Sequence, residues 1–256
     1  MTSSGTGEAA TETLRETMAR LGSVQKGARG APAYSRFVNR RAGRLLAAMA
    51  YRAGLTPNMV TGISAALTLG AIASLALFTP SWTLGLVASG LLLAGYAFDS
   101  ADGQLARLRG GGSLSGEWLD HMVDAAKIAS LHLAVLVGLS RLDALPDRWL
   151  LVPIGYSVVS SVLFFATILN DQMRVRAGVT TRAMTDDERP PVMRSLLVAP
   201  TDYGVLCLAF ALLGAQSIFR VIYTALFVAT AAYLVAACVS WFREIDRLGR
   251  PTTDPK

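Results

Sequence analysis

The strongest constraint on this chain is a long stretch without charge. Residues 53–98 contain no Asp, Glu, Lys, Arg or His, and Pro80 and Ser81 interrupt this stretch near its middle. About 20 consecutive apolar residues cross a bilayer as a helix, so the stretch predicts two successive membrane spans. Only 16% of the chain is charged, against about 25% in soluble domains. The sequence therefore predicts an all-α integral membrane protein.

Six apolar segments have the length expected of membrane spans. They lie at residues 59–79, 82–105, 114–139, 149–170, 195–219 and 221–242. The start of the fifth segment is open between Val192 and Thr201. The turn that follows it lies either at 214–217 or near Arg220. Within the fifth segment, Asp202 is placed to cap a helix that starts after Pro200.

The rest of the chain is predicted to flank one membrane domain, 33–245. Residues 1–32 are polar and resemble a flexible tail with a short amphipathic helix around 11–21, and 246–256 form a second polar tail. Residues 33–52 alternate arginines with apolar residues as an amphipathic helix does. Such a helix lies in the membrane interface, either as a simple anchor or with its arginines near lipid phosphates or substrate.

Charge asymmetry predicts the orientation. With six spans, twenty Lys and Arg residues fall on the side of the termini, and three fall on the other side, namely Arg141, Arg148 and Arg220. Positive residues favour the cytoplasmic side. We therefore expect a multi-pass protein of the plasma (inner) membrane with both termini in the cytoplasm. The net charge of +6 then reflects orientation, and we expect no nucleic-acid partner.

The two cysteines are predicted to be small apolar residues. Cys207 and Cys238 both lie in apolar segments, where a free cysteine behaves as a small hydrophobic side chain. Their spacing supports neither a disulfide nor a metal site.

Four aspartates follow the uncharged stretch, in the segment DSADGQLARLRGGGSLSGEWLDHMVD, residues 99–124. Asp99 and Asp102 are three residues apart, and Asp120 and Asp124 are four apart, so each pair shares one face of a helix. Three glycines at 110–112 lie between the pairs and allow the chain to reverse. Two antiparallel helices would then present four carboxylates to one cleft.

Four carboxylates at a membrane edge need compensating charge, because like charges repel and burial is costly. Oxygen ligands favour hard divalent cations, so the cluster predicts Mg²⁺ or Mn²⁺, with room for two ions. Two-metal sites commonly perform phosphoryl transfer. His121 is expected to point away from the face that holds Asp120 and Asp124. The small residues Gly103, Ala106 and Gly116 would clear space for a ligand, and Arg107 would clamp a phosphate.

These residues resemble the signature of the CDP-alcohol phosphotransferase (CDP-alcohol phosphatidyltransferase) family. The pattern is D-x-x-D-G-x-x-A-R, eight residues, then G-x-x-x-D-x-x-x-D. All of its fixed positions are matched, by Asp99, Asp102, Gly103, Ala106, Arg107, Gly116, Asp120 and Asp124. The six-span layout and the preceding amphipathic helix are also similar to the family. The resemblance thus extends over about 33–245.

The resemblance implies a reaction and roles. Family members split a CDP-linked donor, usually CDP-diacylglycerol, pass its phosphoryl-alcohol part to an acceptor hydroxyl and release CMP; many are homodimers. Asp99, Asp102 and Asp120 would be metal ligands. Asp124 would be the general base and would also lie within reach of the metals. The CDP part would be held by Gly103, Ala106, Arg107 and Gly116.

A second fragment resembles the family at the entry to the first span. Residues 56–61 read Thr-Pro-Asn-Met-Val-Thr, similar to the family's T-P-N-x-x-T. The resemblance implies that Asn58 and Thr61 lie near the nucleotide. A plain helix start, with Pro57 in its first turn and a polar cap before it, explains the same residues.

The acceptor is not fixed by the signature. Lys127, Arg174, Arg176 and Arg194 are candidates for holding a phosphorylated polyol such as inositol phosphate or glycerol phosphate. Lys127 can instead pair with an aspartate, and Arg174 and Arg176 can be anchors on the positive side. Residues 35–41 resemble family members that make inositol-phosphate diesters, whereas Leu119-Asp120-His121 is closer to members that use free amino alcohols. The donor can also be a soluble CDP-alcohol.

Two other classes of function stay open at this point. Carboxylates within a membrane also line ion paths, which allows a divalent-cation transporter, although the aspartates cluster at one face. A catalytically inactive membrane scaffold is the other alternative, although every signature position is intact.

Overall fold

A computed structural model describes residues 13–23, 32–142, 146–179 and 199–248. This part of the chain is helical and contains no strand, as predicted. Its α-helices are α1 (Leu14–Ser23), α2 (Arg40–Arg52), α3 (Pro57–Leu77), α4 (Trp82–Leu108), α5 (Leu114–Leu139), α6 (Leu151–Arg176), α7 (Tyr203–Ala209) and α8 (Gln216–Leu248). Shorter helical turns lie at Ser35–Asn39, Asp147–Leu150, Ala199–Thr201 and Phe210–Leu212.

Five helices are long and apolar enough to cross a membrane: α3, α4, α5, α6 with the turn before it, and α8. The protein is therefore a multi-pass membrane protein, as predicted. The bounds of the first four agree with the predicted spans to within a few residues. The sixth apolar element is short, Tyr203–Leu212.

The predicted fifth span, 195–219, whose start the sequence leaves open as late as Thr201, is shorter in the structure. Within the described residues it consists of the turn Ala199–Thr201, α7 and the turn Phe210–Leu212, and α8 already begins at Gln216. The chain therefore reverses near Gly214, the first of the two predicted positions. A Cβ at Gly214 would collide with the indole of Trp82, so this close approach requires glycine. Residues 195–198 lie outside the described part. The count of six spans stays a prediction.

Asp202 caps α7, as predicted, and also makes a long-range contact. Its Oδ1 accepts a hydrogen bond from the Gly204 backbone N–H at 3.0 Å. Its Oδ2 accepts one from the Ser35 N–H at 2.9 Å. One carboxylate thus joins the start of α7 to the segment before α2.

Helix α4 lies at the centre of the packing. It contacts α2, α3, α7 and the turn after α7, while α5 packs between α3 and α6, and α8 packs on α6. Gly95 lets α3 and α4 approach closely, because a Cβ there would collide with Thr68. At the same place the Ser64 hydroxyl donates to the Gly95 carbonyl at 2.9 Å. The face of α4 that continues from this contact carries the signature residues.

The segment 33–52 is helical, as its pattern predicts, and it is attached to α4 by hydrogen bonds. Asn39 Nδ2 donates to the Tyr96 carbonyl at 3.2 Å, and Gln104 Nε2 donates to the Arg40 carbonyl at 3.2 Å. Large apolar side chains stay exposed on its other face. A position in the membrane interface would cover them, and that placement stays a prediction.

The flanking tails are only partly described. The predicted short helix is present as α1, whose Leu21 is buried against the domain and whose Arg20 guanidinium lies 5.1 Å from the Tyr51 ring centroid. Of the predicted tail 1–32, the structure describes residues 13–23 and 32. The predicted second tail begins at 246, but α8 continues to Leu248.

Both cysteines are free; Cys207 is buried and Cys238 is exposed. The prediction of a buried residue therefore holds for Cys207 and is wrong for Cys238, because α8 leaves much of its outer face uncovered by other helices. That face is apolar, as expected of a helix surrounded by lipid.

Candidate active site

A helical hairpin places the four aspartates. Asp99 and Asp102 lie on α4, Asp120 and Asp124 lie on α5, and a short turn joins the two helices. In this turn Gly110 and Gly111 have φ values of +95° and +125°, which side-chain-bearing residues rarely adopt. The Ser113 hydroxyl then caps α5 by accepting from the Gly116 N–H at 3.0 Å. The predicted reversal of the chain is thus explained by its glycines.

A cavity of about 570 Å³ opens at this end of the bundle, which we call the hairpin end. Its wall includes two of the aspartates, Asp102 and Asp120. It also includes every residue predicted to hold the CDP part, namely Asn58, Thr61, Gly103, Ala106, Arg107 and Gly116. Residues far apart in the sequence, on α3, α4 and α5, therefore meet around one space.

Asp102 is held in place by neutral donors. It is 5% exposed, and its Oδ2 accepts from the Thr61 hydroxyl at 2.6 Å. The N–H of Gly103 lies 2.5 Å from its Oδ1. These contacts fix the orientation of the carboxylate without neutralising its charge, so a cation in the cavity would have a preorganised ligand.

Asp99 and Asp124 do not line this cavity. They lie about one helical turn deeper, and the ammonium group of Lys127 lies between them. Its Nζ is 2.6 Å from Asp99 Oδ1 and 2.6 Å from Asp124 Oδ1. Lys127 is 7% exposed, so the chain itself supplies the countercharge here. The sequence leaves two roles open for Lys127, binding of the acceptor or pairing with an aspartate, and the structure shows the pairing.

The prediction that His121 points away from the aspartates is wrong. Ligand atoms of Asp120, His121 and Asp124 lie within 4.8 Å of one another, and this is the group of metal-ligating side chains found in the described part of the chain. Neighbouring residues lie about 100° apart around a helix, but a long imidazole can lean back over the adjacent face. His121 also faces the cavity.

This donor set fits a divalent cation. Carboxylate oxygens suit Mg²⁺ and Mn²⁺, and an imidazole nitrogen extends the set toward transition metals. Asp120 and Asp124 would hold an ion together with His121, and Asp102 faces the same cavity from α4.

Of the signature glycines, Gly116 lies where a side chain would intrude, because a Cβ there would be 3.0 Å from Asn58 Oδ1. A Cβ at Gly103 would be 3.4 Å from Arg107 Nη1, which is an ordinary contact distance. Arg107 thus folds back over its own helix toward the cavity. Its Nε is buried without a hydrogen-bond partner, as expected of a group placed to bind an anion.

The candidate acceptor residues are not brought together. Arg174 is buried and forms an ion pair with Glu244 of α8. Arg176 is exposed at the end of α6, and neither arginine lines the 570 Å³ cavity. Arg194 lies outside the described residues.

Several residues that also line the cavity were not among the predicted site residues. No role was predicted for Arg109, Ser113, Leu114 and Glu117. Gly111 and Gly112 were predicted to allow the turn, and Thr56 and Pro57 to start α3. Arg109 donates to the Leu55 carbonyl at 2.7 Å and so closes the turn against the α3 entry. The sequence signal that could have identified Arg109 is its position just after the signature residue Arg107.

The helix-start explanation for 56–61 is confirmed. Thr56 Oγ1 accepts from the Met59 N–H at 3.2 Å, and Pro57 occupies the first turn. The same residues line the cavity, so the segment both starts α3 and forms part of the wall.

Two crystal structures of the phosphatidylinositol phosphate synthase of Mycobacterium tuberculosis are similar to this chain. The one with CDP-DAG bound is 22% identical, with 86% of this chain and 98% of that chain covered and a TM-score of 0.49. The one in complex with manganese and citrate is 22% identical, with 82% and 91% covered and a TM-score of 0.47. None of the curated protein sequences matches significantly.

The family comparison covers most of the chain. The model of the CDP-alcohol phosphatidyltransferase family matches residues 54–242, which include both helices of the hairpin and the entry to α3. The resemblance seen in the sequence is thereby confirmed, and the transporter and scaffold alternatives are set aside. This chain belongs to the CDP-alcohol phosphatidyltransferase family and is a divalent-metal-dependent phosphotransferase.

Proposed function

We propose that this enzyme transfers the phosphatidyl group of CDP-diacylglycerol to the hydroxyl of a polar alcohol, with release of CMP, in phospholipid biosynthesis. The observation that carries the proposal is the single cavity at the hairpin end. It gathers Asp102, Asp120 and all six residues expected to hold the CDP part around about 570 Å³. Its walls combine acidic ligands for cations with Arg107 for a phosphate.

The proposed reaction exchanges one phosphorus–oxygen bond for another. The acceptor oxygen bonds to the phosphorus that carries the lipid, and the phosphoanhydride bond to CMP breaks. CMP leaves with the bridging oxygen, and the proton of the acceptor hydroxyl goes to Asp124. A bound divalent cation supplies positive charge for the phosphate oxygens.

Asp124 lies next to a cation that fixes its position. Lys127 Nζ lies 2.6 Å from Asp124 Oδ1, so the ammonium group orients the carboxylate. We propose Asp124 as the general base on this geometry and on the resemblance to the family.

Arg107 and the glycines are proposed to hold the pyrophosphate side of the donor. Gly103 leaves the backbone of α4 open beneath the guanidinium. Planar guanidinium groups bind phosphate through two parallel hydrogen bonds. Asn58 and Thr61 would border the nucleotide from α3.

For the acceptor we favour a phosphorylated polyol, such as inositol phosphate or glycerol phosphate. Lys127 lies at the deep end of the site, and Arg176 follows at the end of α6. Arg194, which lies outside the described residues, would add a third cation. Arg174 would bind the acceptor phosphate only after its ion pair with Glu244 is broken. A free amino alcohol, and a soluble CDP-alcohol as donor, are the alternatives.

We further propose that the active site and both termini face the cytoplasm across the plasma (inner) membrane. The twenty Lys and Arg residues on that side of the predicted topology support this orientation. We also propose a homodimer, as the resemblance to the family implies.

The test is CMP release by the purified protein with CDP-diacylglycerol and Mn²⁺ or Mg²⁺. Acceptors are inositol phosphate, glycerol phosphate, inositol, serine and ethanolamine, each assayed with and without EDTA. We expect release with one phosphorylated polyol and none with EDTA. CMP release stimulated by serine or ethanolamine instead would contradict the proposed class of acceptor. CMP release only from a soluble CDP-alcohol would contradict the proposed donor.

A further inference from the structure

A second cavity lies at the opposite end of the bundle, which we call the far end. It has a volume of about 960 Å³ and lies between the entry to α6 and the first half of α8. Its lining residues are Pro146, Arg148, Trp149, Val152, Ser217, Arg220, Val221, Thr224, Ala225, Val228, Ala229 and Ala232. None of these residues belongs to the aspartate site.

The long axis of this groove follows α8. With a rise of about 1.5 Å per residue, Ser217 and Ala232 are about 22 Å apart along the helix. Half of a bilayer's hydrocarbon core is about 15 Å thick. The groove is therefore longer than the hydrocarbon of one leaflet is thick, which is long enough for an acyl chain. Three small side chains of α8, those of Ala225, Ala229 and Ala232, line it.

Cations lie at only one end of the groove. Arg148 is exposed, and Arg220 lies at the same end with its Nη2 3.4 Å from the Ser217 hydroxyl. The third arginine of the far end, Arg141, does not line the groove, because it donates to the Leu77 carbonyl at 2.8 Å. Two guanidinium groups at one end of an apolar groove match a ligand with an anionic head and a hydrocarbon tail.

The wall between the arginines and the apolar part of the groove is rigid. Trp149 Nε1 donates to the Thr224 hydroxyl at 3.1 Å, and its ring centroid lies 6.1 Å from that of Tyr223. Tryptophan is typical of the depth at which lipid head groups begin. The first turn of α8, with its unpaired N–H groups and positive dipole end, also lies beside the arginines.

We infer that this groove binds one phospholipid of the leaflet opposite the active site, with its phosphate between Arg148 and Arg220 and an acyl chain along α8. The arginines favour this occupant over an apolar helix of a second copy, because such a helix would bring no anionic group to the two guanidinium groups. The apolar part of the groove favours it over a free anion in water. The inference does not rest on the proposed reaction.

Native mass spectrometry of the full chain tests this inference. Dioleoyl phosphatidylglycerol and dioleoylglycerol, which share acyl chains and differ in the phosphate, are titrated onto the wild type and Arg148→Gln/Arg220→Gln. Because arginines at a membrane surface attract anionic lipids, we expect at least about tenfold weaker phosphatidylglycerol binding by the double variant. Arg141→Gln is the matched control and should stay within about twofold.

A groove-filling variant, Ala229→Phe, tests the acyl part without changing charge. It should weaken phosphatidylglycerol binding while the oligomeric state, measured by light scattering, stays unchanged. Equal phosphatidylglycerol affinities of the wild type and Arg148→Gln/Arg220→Gln would overturn the inference. So would an Ala229→Phe protein that binds lipid normally but dissociates into monomers, since the groove would then be an interface between copies. If the double variant does not fold, the two single variants replace it.

Discussion

The four aspartates of the hairpin form two pairs that differ in how their charge is handled. The outer pair, Asp102 and Asp120, lines the cavity at the hairpin end. The inner pair, Asp99 and Asp124, lies one turn deeper and shares Lys127 as a counterion. The same residue type thus serves two purposes within one site. The outer pair is arranged to meet a ligand from the cavity. The inner pair is stabilised by Lys127, and its Asp124 also belongs to the metal-ligating group with Asp120 and His121.

This difference follows from depth. Each step toward the hydrocarbon makes an uncompensated carboxylate more costly. Nearer the end of the bundle, hydrogen bonds such as that from Thr61 orient Asp102, which is buried but borders the cavity. Deeper in the bundle a full opposite charge is needed, and Lys127 provides it from the next turn of the same helix as Asp124.

The largest effect should come from the inner pair. Asp124→Asn removes the proposed base, so transfer should fall by about 10³-fold, within the range of general base catalysis. The measurement is the initial rate of CMP release at saturating Mn²⁺. Asp246→Asn is the matched control, a carboxylate near the end of α8 outside the cavity. Near wild-type transfer by Asp124→Asn would contradict the base assignment.

Substitutions in the outer pair should affect metal binding more than proton transfer. Asp102→Asn keeps the shape of the side chain but removes a charged ligand, so the apparent Mn²⁺ affinity should fall by about 100-fold or more. Titration of the free Mn²⁺ signal by electron paramagnetic resonance measures this. An unchanged Mn²⁺ affinity would show that Asp102 is not a ligand.

Lys127→Met tests the countercharge of the inner pair. Removing one partner of a buried ion pair costs about 3 kcal/mol, which corresponds to a fall in Tm of about 6 °C or more for a chain of this size. The loss should be seen in EDTA and should be partly reversed by Mn²⁺. Lys127→Arg keeps the charge and should lose less. A Tm unchanged in EDTA would mean that the pairing contributes nothing to stability.

The smallest effect should come from removing the hydrogen bond that orients Asp102 of the outer pair. Thr61→Val removes the hydroxyl that donates to Asp102 and leaves the volume nearly unchanged. Outer hydrogen bonds of metal ligands are typically worth about tenfold in affinity, so a rise of that size in the Mn²⁺ needed for half-maximal activity is expected. Thr68→Val, on the same helix away from the cavity, is the control.

Much of the site could be predicted because its determinants are local. The three-residue and four-residue spacings of the aspartates and the glycines between them specify a helical hairpin with carboxylates on one side. The uncharged stretch 53–98 specifies α3 and α4 by length alone. These features need only the periodicity of a helix and the thickness of a membrane.

Other features depend on contacts between distant residues and were therefore missed or left open. The choice between the two predicted reversal points depends on the contact of Gly214 with Trp82, which lies on another helix. The pairing of Arg174 with Glu244 joins α6 to α8. The orientation of His121 is set by a side-chain rotamer, which sequence spacing does not determine. Apolar periodicity carries no information on any of these three.

The most direct test of the central claim, that both aspartate pairs form one metal-dependent transfer site, is CMP release by protein stripped of metal. Wild-type protein is treated with EDTA, exchanged into metal-free buffer and supplied with CDP-diacylglycerol and the active acceptor while Mn²⁺ is added stepwise. The account predicts no release before Mn²⁺, full recovery after it, and no recovery for Asp102→Asn or Asp124→Asn at the same Mn²⁺ concentration. CMP release from the stripped wild type, or full recovery in either variant, would contradict it.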